Sequence, residues 1–234
     1  MKLWIGTSGF QYAEWKGKFY PEKMPASKML RYYAEHFTST EINYTFRQLP
    51  KETTIRGWCD ATPAQFRFSF KAPQRMTHFS RLRGCGKILK VFQTAIAVAG
   101  KKAGVVLFQL PPNFAMDVEV LSSFLKDVPK RMRAAFEFRH KSWFVDAVFE
   151  TLRSSNAALC IAENEELATP AVATADFGYL RLRREDYTPA QVKKWARWIK
   201  EQDPSWSDTH IYFKHEEQAV GPKFATQMQR ELAS

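Results

Sequence analysis

The feature of this sequence that most constrains its fold is a regular alternation of strand-like and helix-like segments. The strand-like segments are short, and they end at polar residues, glycine or proline. Eight of them lie at residues 3–6, 38–43, 66–71, 105–109, 133–139, 157–162, 178–183 and 209–214. Strands that alternate with helices in this way form a parallel sheet, because each connection has to cross back over the sheet.

Helical periodicity fills most of the intervals between these strands. It covers residues 28–36, 52–60, 87–99, 117–126, 147–154, 191–200 and 222–232. Ser27 is predicted to cap the first helix, Gly104 to end the third, and Thr188 with Pro189 to begin the sixth. Residues 163–176 show no clean period, so the sixth crossover is predicted to be short or irregular.

Eight strands match the count of a (β/α)8 TIM-type barrel, here with short loops apart from a long one after the first strand. An open doubly wound sheet is the alternative, since alternation alone does not distinguish the two. A chain of 234 residues with 45% hydrophobic content can bury one sizeable core. Because no Gly/Ser/Pro-rich linker divides it, residues 1–234 are predicted to form a single domain.

Cysteine usage and apolar patterning predict a cytoplasmic protein without a membrane segment. Cys59, Cys85 and Cys160 lack CxxC spacing, which argues against a disulfide framework and against a zinc ribbon. The first apolar run reaches Gly6 too early for a signal peptide, and no window approaches the roughly 20 apolar residues of a membrane span. The net charge of +11 favours anionic partners, although a solvated basic surface would give the same charge.

Polar side chains recur at the ends of the predicted strands. In a barrel, one face of each strand points to the helices and the other to the interior, and the carboxyl ends of the strands usually carry the functional site. If the strongly apolar face packs on the helices, the interior residues near the strand ends are Glu41, Asn43, Lys71, Gln109, Glu137, Arg139, Arg181, Tyr212 and Lys214. A purely structural barrel would place Val, Ile and Leu there, so these positions predict a binding site.

The charges of this predicted rim indicate the kind of ligand. Two carboxylates, Glu41 and Glu137, face four cations, which are Lys71, Arg139, Arg181 and Lys214. A net positive pocket predicts a small ligand that carries a phosphate or carboxylate, bound by the guanidinium groups of the arginines.

Two catalytic schemes fit these residue types. Glu137 beside Arg139 is expected to stay ionised and act as a general base, with Glu41 in the other proton-transfer role, in a lyase, isomerase or hydrolase. Alternatively, Lys71 or Lys214 forms a Schiff base with a carbonyl substrate. His78 and His140 are weaker acid–base candidates. The two glutamates with either histidine could hold a divalent metal, but no spacing requires one, and no nucleotide-cofactor motif is present.

Two further segments contribute candidate ligand contacts. The loop at residues 7–21 is long, aromatic and contains glycine, which is typical of a connection that carries function. Ser8, Tyr12 and Trp15 in this region are predicted to contact the ligand. Trp143 follows the charged end of the fifth strand and is predicted to do the same.

These motifs, taken in order, resemble one family. They are Gly6-Thr7-Ser8-Gly9-Phe10, Glu41-Ile42-Asn43, Lys71-Ala72-Pro73, Phe108-Gln109-Leu110-Pro111-Pro112 and Glu137-Phe138-Arg139-His140. The chain resembles the YecE-like proteins, a TIM-barrel family known as domain of unknown function 72. The resemblance covers the whole chain and implies the barrel but no activity. One departure is the end of the last strand, where Phe213-Lys214-His215-Glu216 replaces the Phe-Asn-Asn of many members.

A second class of function is nucleic-acid binding. Basic residues follow the third strand close to Phe79, and they are Arg75, Arg81, Arg83, Lys87 and Lys90. Cations beside an aromatic ring could track a phosphate backbone and stack on a base. No recognised nucleic-acid module is present. A barrel that only binds or regulates is the third interpretation.

Overall fold

A parallel sheet runs through most of the chain. The computed structural model describes residues 1–163, 167–202, 204–214 and 217–234, without the side chain of residue 217. Its strands are β1 (Lys2–Ser8), β2 (Ser39–Ile42), β3 (Arg67–Lys71), β4 (Ala103–Gln109), β5 (Ala134–Glu137), β6 (Ala158–Leu159), β7 (Ile161–Glu163), β8 (Phe177–Leu182) and β9 (Asp208–Phe213). Every pairing between these strands is parallel, as the alternating sequence predicts.

The order of the strands closes the sheet into a barrel. That order is β6-β5-β4-β3-β2-β1-β9-β8-β7, so the two edges are consecutive pieces of the chain separated only by Cys160. β6 pairs with β5, and β7 pairs with β8. The predicted TIM-type barrel is therefore confirmed, with one difference: the sixth strand is split in two. The open doubly wound sheet does not fit, because its edge strands would lie far apart.

Seven α-helices are present among the described residues, and they cover the outside of the sheet. They are α1 (Ala26–His36), α2 (Glu52–Asp60), α3 (Gly86–Ala97), α4 (Val118–Asp127), α5 (Asp146–Ser154), α6 (Pro189–Glu201) and α7 (Val220–Ala233). The predicted cap of α6 is confirmed, since Thr188 and Gln191 form a reciprocal capping box and Pro189 opens the helix. Among the described residues, no helix is long and apolar enough to cross a bilayer.

Two predicted helix boundaries are wrong. Ser27 lies inside α1, because the carbonyl of Pro25 already accepts a hydrogen bond from the Lys28 N–H at 3.0 Å, and Pro25 is the cap. Gly104 lies inside β4 rather than at the end of α3. A Cβ atom on Gly104 would lie 3.1 Å from the Phe68 carbonyl oxygen and 3.2 Å from Ser69 Oγ, so glycine allows β3 and β4 to approach.

The sixth crossover is irregular where it is described. Residues 167–176 contain no helix, in agreement with the missing periodicity. The Thr174 hydroxyl instead accepts a hydrogen bond from the Leu159 N–H at 2.7 Å and donates to the Ala157 carbonyl at 2.8 Å. This side chain thereby satisfies backbone groups beside the shortest strand of the barrel.

The apolar residues form two layers, as the alternation predicts. An outer layer between strands and helices contains Phe68, Phe108 and Phe136. A smaller inner layer fills the barrel and includes Leu107, Ala135 and Tyr179, together with Tyr212. Above this inner layer, towards the carboxyl ends of the strands, the interior becomes charged.

Candidate functional site

A buried group of charges lies at the carboxyl ends of the strands, with Arg181 at its centre. Arg181 on β8 donates from one terminal nitrogen to Glu137 on β5, and from the other to Glu41 Oε1 on β2 at 2.8 Å. All three residues are buried, with no more than 2% of any of them exposed. One guanidinium thus joins two carboxylates from distant strands.

Two other strands, β1 and β8, supply polar partners for Glu41. The Ser8 hydroxyl, at the end of β1, donates to Glu41 Oε1 at 2.6 Å. The Tyr179 hydroxyl donates to Glu41 Oε2 at 2.7 Å, and Asn43 Nδ2 donates to Ser8 Oγ at 2.8 Å. Burial opposes ionisation of Glu41, but the charge of Arg181 and the hydrogen bonds from Ser8 and Tyr179 outweigh it and lower its pKa.

Glu137 lies close to three arginines. Besides Arg181, Arg139 donates from Nε to Glu137 Oε1 at 3.1 Å, and Arg183 lies 3.5 Å from the same oxygen. Gln109 Nε2 lies 2.8 Å from both carboxylate oxygens. Burial again opposes ionisation, yet the charges of Arg181, Arg139 and Arg183 hold the pKa of Glu137 far below its usual range. Glu137 therefore stays a carboxylate.

This arrangement is costly for the fold. Transferring charges from water to a protein interior costs several kcal/mol per ion, and apolar residues of similar volume are often equally stable or more so. Glu41, Glu137 and Arg181 occupy positions where other barrels place aliphatic residues. The cost favours a functional role for this group over a purely structural one.

Lys71, at the end of β3, lies beside this group without joining it. Its Nζ is 4.0 Å from the centroid of the Phe46 ring. No carboxylate among the described residues lies within 4.0 Å of that nitrogen. Burial and the positive charges of Arg181 and Arg139 lower the pKa of Lys71 to about 7, although Glu41 and Glu137 oppose the shift. Near neutral pH this amine therefore exchanges between its charged and neutral forms.

The predicted histidines border the rim. The His78 ring packs edge-on against Phe46 at 5.0 Å, and its Nδ1 lies 2.9 Å from Thr77 Oγ1. Burial, Lys71 and Arg139 lower the pKa of His78, which favours the neutral ring. His140 Nδ1 lies 2.8 Å from Ser142 Oγ, and this contact orders the turn that follows β5.

The structure buries the two predicted tryptophan contacts. Trp143 stacks on Phe138 with ring centroids 4.5 Å apart, and its indole N–H donates to the Phe114 carbonyl at 2.7 Å. Trp15 is 1% exposed and packs against Tyr12 at 4.8 Å. Both rings support the loops around the rim rather than its open surface.

Tyr12 and Lys214 lie at the edge of the rim. Tyr12 is half-buried and its hydroxyl donates to the Ser8 carbonyl at 2.7 Å. Beside it, a cleft of about 220 Å³ between the first two loops is lined by Gly9, Tyr12, Asn43 and Tyr44. Lys214 follows β9, where its N–H donates to the Leu182 carbonyl. The departure from the family pattern begins at Lys214, and the two residues after it, His215 and Glu216, lie outside the described residues.

Two residues of this site, Tyr179 and Arg183, are not among those predicted from the sequence. Arg183 has the same strand parity as Arg181 and would have been found by extending the alternation two residues further. Tyr179 also has this parity, but its bond to Glu41 joins residues 138 positions apart, and no local pattern reveals that. Among the described residues, no group of three or more His, Cys, Asp or Glu side chains is arranged to hold a metal ion.

Fold and site together define a class: a parallel β/α barrel with a polar, cation-rich rim at the carboxyl ends of its strands. Within this class, the model of the family described as "Protein of unknown function DUF72" matches residues 4–234. The chain belongs to the DUF72 family, as its motifs predict.

Two bacterial relatives show how far the similarity extends. The UPF0759 protein YecE of Escherichia coli K12 is 33% identical over 116 residues, which is 49% of this chain and 43% of YecE. The aligned part thus spans less than half of that relative's length. The UPF0759 protein YunF of Bacillus subtilis 168 is 23% identical over 239 residues, covering 93% of this chain and 80% of YunF.

Solved structures share the fold. A DUF72 family protein from Thermotoga maritima superposes with a TM-score of 0.86 over the full length of both chains, at 23% identity. A second, from Enterococcus faecalis, gives a TM-score of 0.80 at 16% identity over 99% of this chain and 96% of that one. At these identities the likeness supports the barrel alone.

Proposed function

We propose that the rim binds a small molecule carrying a phosphate or carboxylate. The observation that carries this proposal is the cluster of arginines around Glu137, where Arg139, Arg181 and Arg183 all approach one carboxylate. Arg181 is buried, but Arg139 is 30% exposed, so its guanidinium faces both the carboxylate and the open rim. Among the described residues, nothing bonds the terminal amino groups of Arg139.

In this proposal the buried charges position the exposed ones. Glu137 fixes the Arg139 guanidinium through its Nε, which leaves the fork of terminal N–H groups for an anion. The nearby arginines hold the pKa of Glu137 far below its usual range, and this makes it a weak base. The lowered pKa favours the anchoring role over the predicted general-base role. Lys71, with a pKa of about 7, is better suited to proton transfer or nucleophilic attack.

A thermal-shift titration with glycerol 3-phosphate, pyruvate and inorganic phosphate tests the proposal, with glycerol as the uncharged comparison. We expect saturable stabilisation by at least one anion and none by glycerol, and a ligand at a hundredfold its dissociation constant adds about 2.7 kcal/mol. Replacing Arg139 with alanine should weaken binding at least tenfold, because a charged hydrogen bond contributes about 1.5–3 kcal/mol.

Arg153→Ala is the matched control, because Arg153 also makes one ion pair with a glutamate but lies on α5, away from the rim. It should bind the anion as the unaltered protein does. Equal losses in Arg139→Ala and Arg153→Ala would show that binding follows overall charge rather than this site.

The second candidate, nucleic-acid binding, is favoured by one surface next to the rim. Phe79 is 73% exposed at the end of a π-helical turn, a local distortion that often occurs at functional sites. Arg81 follows with a left-handed backbone, φ 47°, and its guanidinium lies 5.7 Å from the Phe114 ring. Fluorescence anisotropy with a single-stranded oligonucleotide should then show affinity that falls steeply with salt and drops in Phe79→Ala. Competition by heparin at equal strength would contradict it.

Two broader expectations stay predictions. We propose that residues 1–234 form one domain, because a single sheet takes strands from Lys2 to Phe213 and Gln229 on α7 donates back to the His36 carbonyl. The predicted cytoplasmic location rests on the cysteines, and Cys59, Cys85 and Cys160 are all free thiols.

A further inference from the structure

We propose that Lys71 is a nucleophile and that it forms an imine with an aldehyde or ketone that also carries a carboxylate or phosphate. The inference rests on the anion site proposed above and adds the reactive group of its ligand. It identifies the substrate class as small anionic carbonyl compounds.

The position of Lys71 differs from that of the three arginines around Glu137. Arg139, Arg181 and Arg183 each lie within 3.5 Å of a carboxylate oxygen. Lys71 Nζ has neither such a partner nor a hydrogen bond among the described residues, and it lies against the face of Phe46 at 4.0 Å. An amine that the protein neither pairs nor bonds remains available to a ligand.

Lys102 provides an internal comparison. Its Nζ donates to the Thr62 carbonyl at 2.7 Å, to Thr62 Oγ1 at 3.1 Å and to the Cys59 carbonyl at 2.5 Å. All three donors of this ammonium are used in joining α2 to the segment before β4. Lys102 therefore behaves as a structural lysine, whereas the only contact of Lys71 Nζ with the described residues that involves its charge at short range is the one with the Phe46 ring.

The surroundings of Lys71 favour the neutral, nucleophilic form of its amine. Burial and the charges of Arg181 and Arg139 lower its pKa to about 7, against the opposing charges of Glu41 and Glu137. His78, which packs on the same Phe46 ring, adds no positive charge when neutral. A lysine that is desolvated beside other cations is a recognised way to obtain an amine nucleophile near neutral pH.

The chemistry balances without a cofactor or an oxidant. The neutral amine attacks the carbonyl carbon and forms a carbinolamine. In forming the carbinolamine, one proton moves from the nitrogen to the oxygen. A second proton, from the medium, then lets this oxygen leave as water, and a protonated imine remains. The negative group of the same ligand would lie against Arg139, which explains why the site holds cations next to an uncharged nucleophile.

Reductive trapping tests the inference. The protein is incubated with glyoxylate or pyruvate and sodium cyanoborohydride, which reduces an imine to a stable secondary amine, and the modified lysine is located by peptide mass spectrometry. We expect modification at Lys71 at least tenfold faster than at the exposed Lys90, with a rate that rises through pH 7 as Lys71 loses its proton. Acetone, which has no charge, should modify Lys71 much more slowly.

Three variants separate the parts of the proposal. Lys71→Met should abolish the fast modification while Lys90→Met leaves it intact, and Arg139→Ala should slow trapping of pyruvate but not of acetone. If the thermal-shift titration shows saturable anion binding yet Lys71 is modified no faster than Lys90, the nucleophile is refuted and the anion site stands. If acetone and pyruvate modify Lys71 equally fast, the anionic substrate class is refuted.

Discussion

The two ends of the barrel both carry charged side chains, but they use them differently. At the amino end, Asp208 on β9 accepts hydrogen bonds from both terminal nitrogens of Arg133 and from Trp4 Nε1 at 3.0 Å. The nearby Arg67 stacks on Trp4 at 4.6 Å and donates to backbone carbonyls at the start of β3. These donors are largely used within the protein.

At the carboxyl end the balance is reversed. Arg139, Arg181 and Arg183 share Glu137, and Lys71 has no carboxylate partner among the described residues. The amino end is thus a plug in which the arginines donate to Asp208 or to backbone carbonyls, and the carboxyl end is a rim in which, among the described residues, arginines outnumber carboxylates. The two ends therefore differ in how their described cations are paired, and not in whether they carry charge.

The largest expected effect concerns Arg181, which holds the buried part of the rim together. Arg181→Met should cost about 3–5 kcal/mol of unfolding free energy at pH 7, because it leaves Glu41 and Glu137 buried without their counter-ion. Urea unfolding followed by circular dichroism measures it. Adding Glu41→Gln and Glu137→Gln should restore much of the stability. A cost below about 1 kcal/mol for the single variant would show that the carboxylates escape to water.

The next effect is a dependence of stability on pH, and it comes from His210. This residue is buried inside the barrel, between its two ends. Burial, together with Arg133 and Arg67, lowers the pKa of His210 to about 3 against the opposing charge of Asp208. The unfolded chain then binds a proton near pH 6.5 and the folded one does not, so stability should fall as the pH drops from about 6.5 towards 3, by up to roughly 1.4 kcal/mol per unit.

His210→Gln should make the unfolding free energy depend less on pH, whatever the substitution itself costs at pH 7. Urea unfolding at several pH values between 6.5 and 4 gives the slope for both proteins. Parallel slopes would show that His210 titrates normally in the folded state.

Asp208→Asn tests the plug. It should cost about 1–3 kcal/mol at pH 7, because Arg133 loses its charged acceptor. Arg133 holds the pKa of Asp208 at about 2 against the effect of burial, so the carboxylate stabilises the fold above pH 4 and loses this effect as the pH falls towards 2. The difference between the two proteins should shrink over that range. Glycerol 3-phosphate binding should be unchanged, and a parallel loss of binding would mean that the two ends are coupled.

The smallest expected effect on stability is that of Arg139→Ala. This side chain is 30% exposed, and partly exposed ion pairs contribute at most about 1 kcal/mol. A small change in urea unfolding, together with the tenfold loss of anion affinity expected above, would separate binding from folding at this end. A loss as large as that for Arg181→Met would instead place Arg139 in the structural core.

The alternation of residues along each strand predicts most of the rim residues from the sequence. It placed Glu41, Gln109, Glu137 and Arg181 inside the barrel, where the structure has all four. Their partners depend on which strands are neighbours across the barrel and on how far each side chain reaches. Arg181, for example, reaches both β2 and β5, and its local sequence does not indicate this.

Aromatic residues show the limit of the same reasoning. Trp15 and Trp143 lie beside polar motifs and were predicted to contact a ligand, yet their indole rings pack into the interior. A large aromatic ring next to a site can either contact a ligand or pack in the interior, because both roles favour the same residue type. Only the burial of the side chain distinguishes them.

The split of the sixth strand at Cys160 has a consequence for motion. Two matched residues join β5 to β6, fewer than join any other two neighbouring strands described, and three join β7 to β8, as between β1 and β2. Local opening should therefore start between β5 and β6, where the fewest matched residues must separate, and amide hydrogen exchange should be fastest there among the strands. Arg181 lies directly across from the other half of the split strand, paired with Ala162 on β7. The barrel closes at this split strand, and we expect its buried charges to contact water first at the same place.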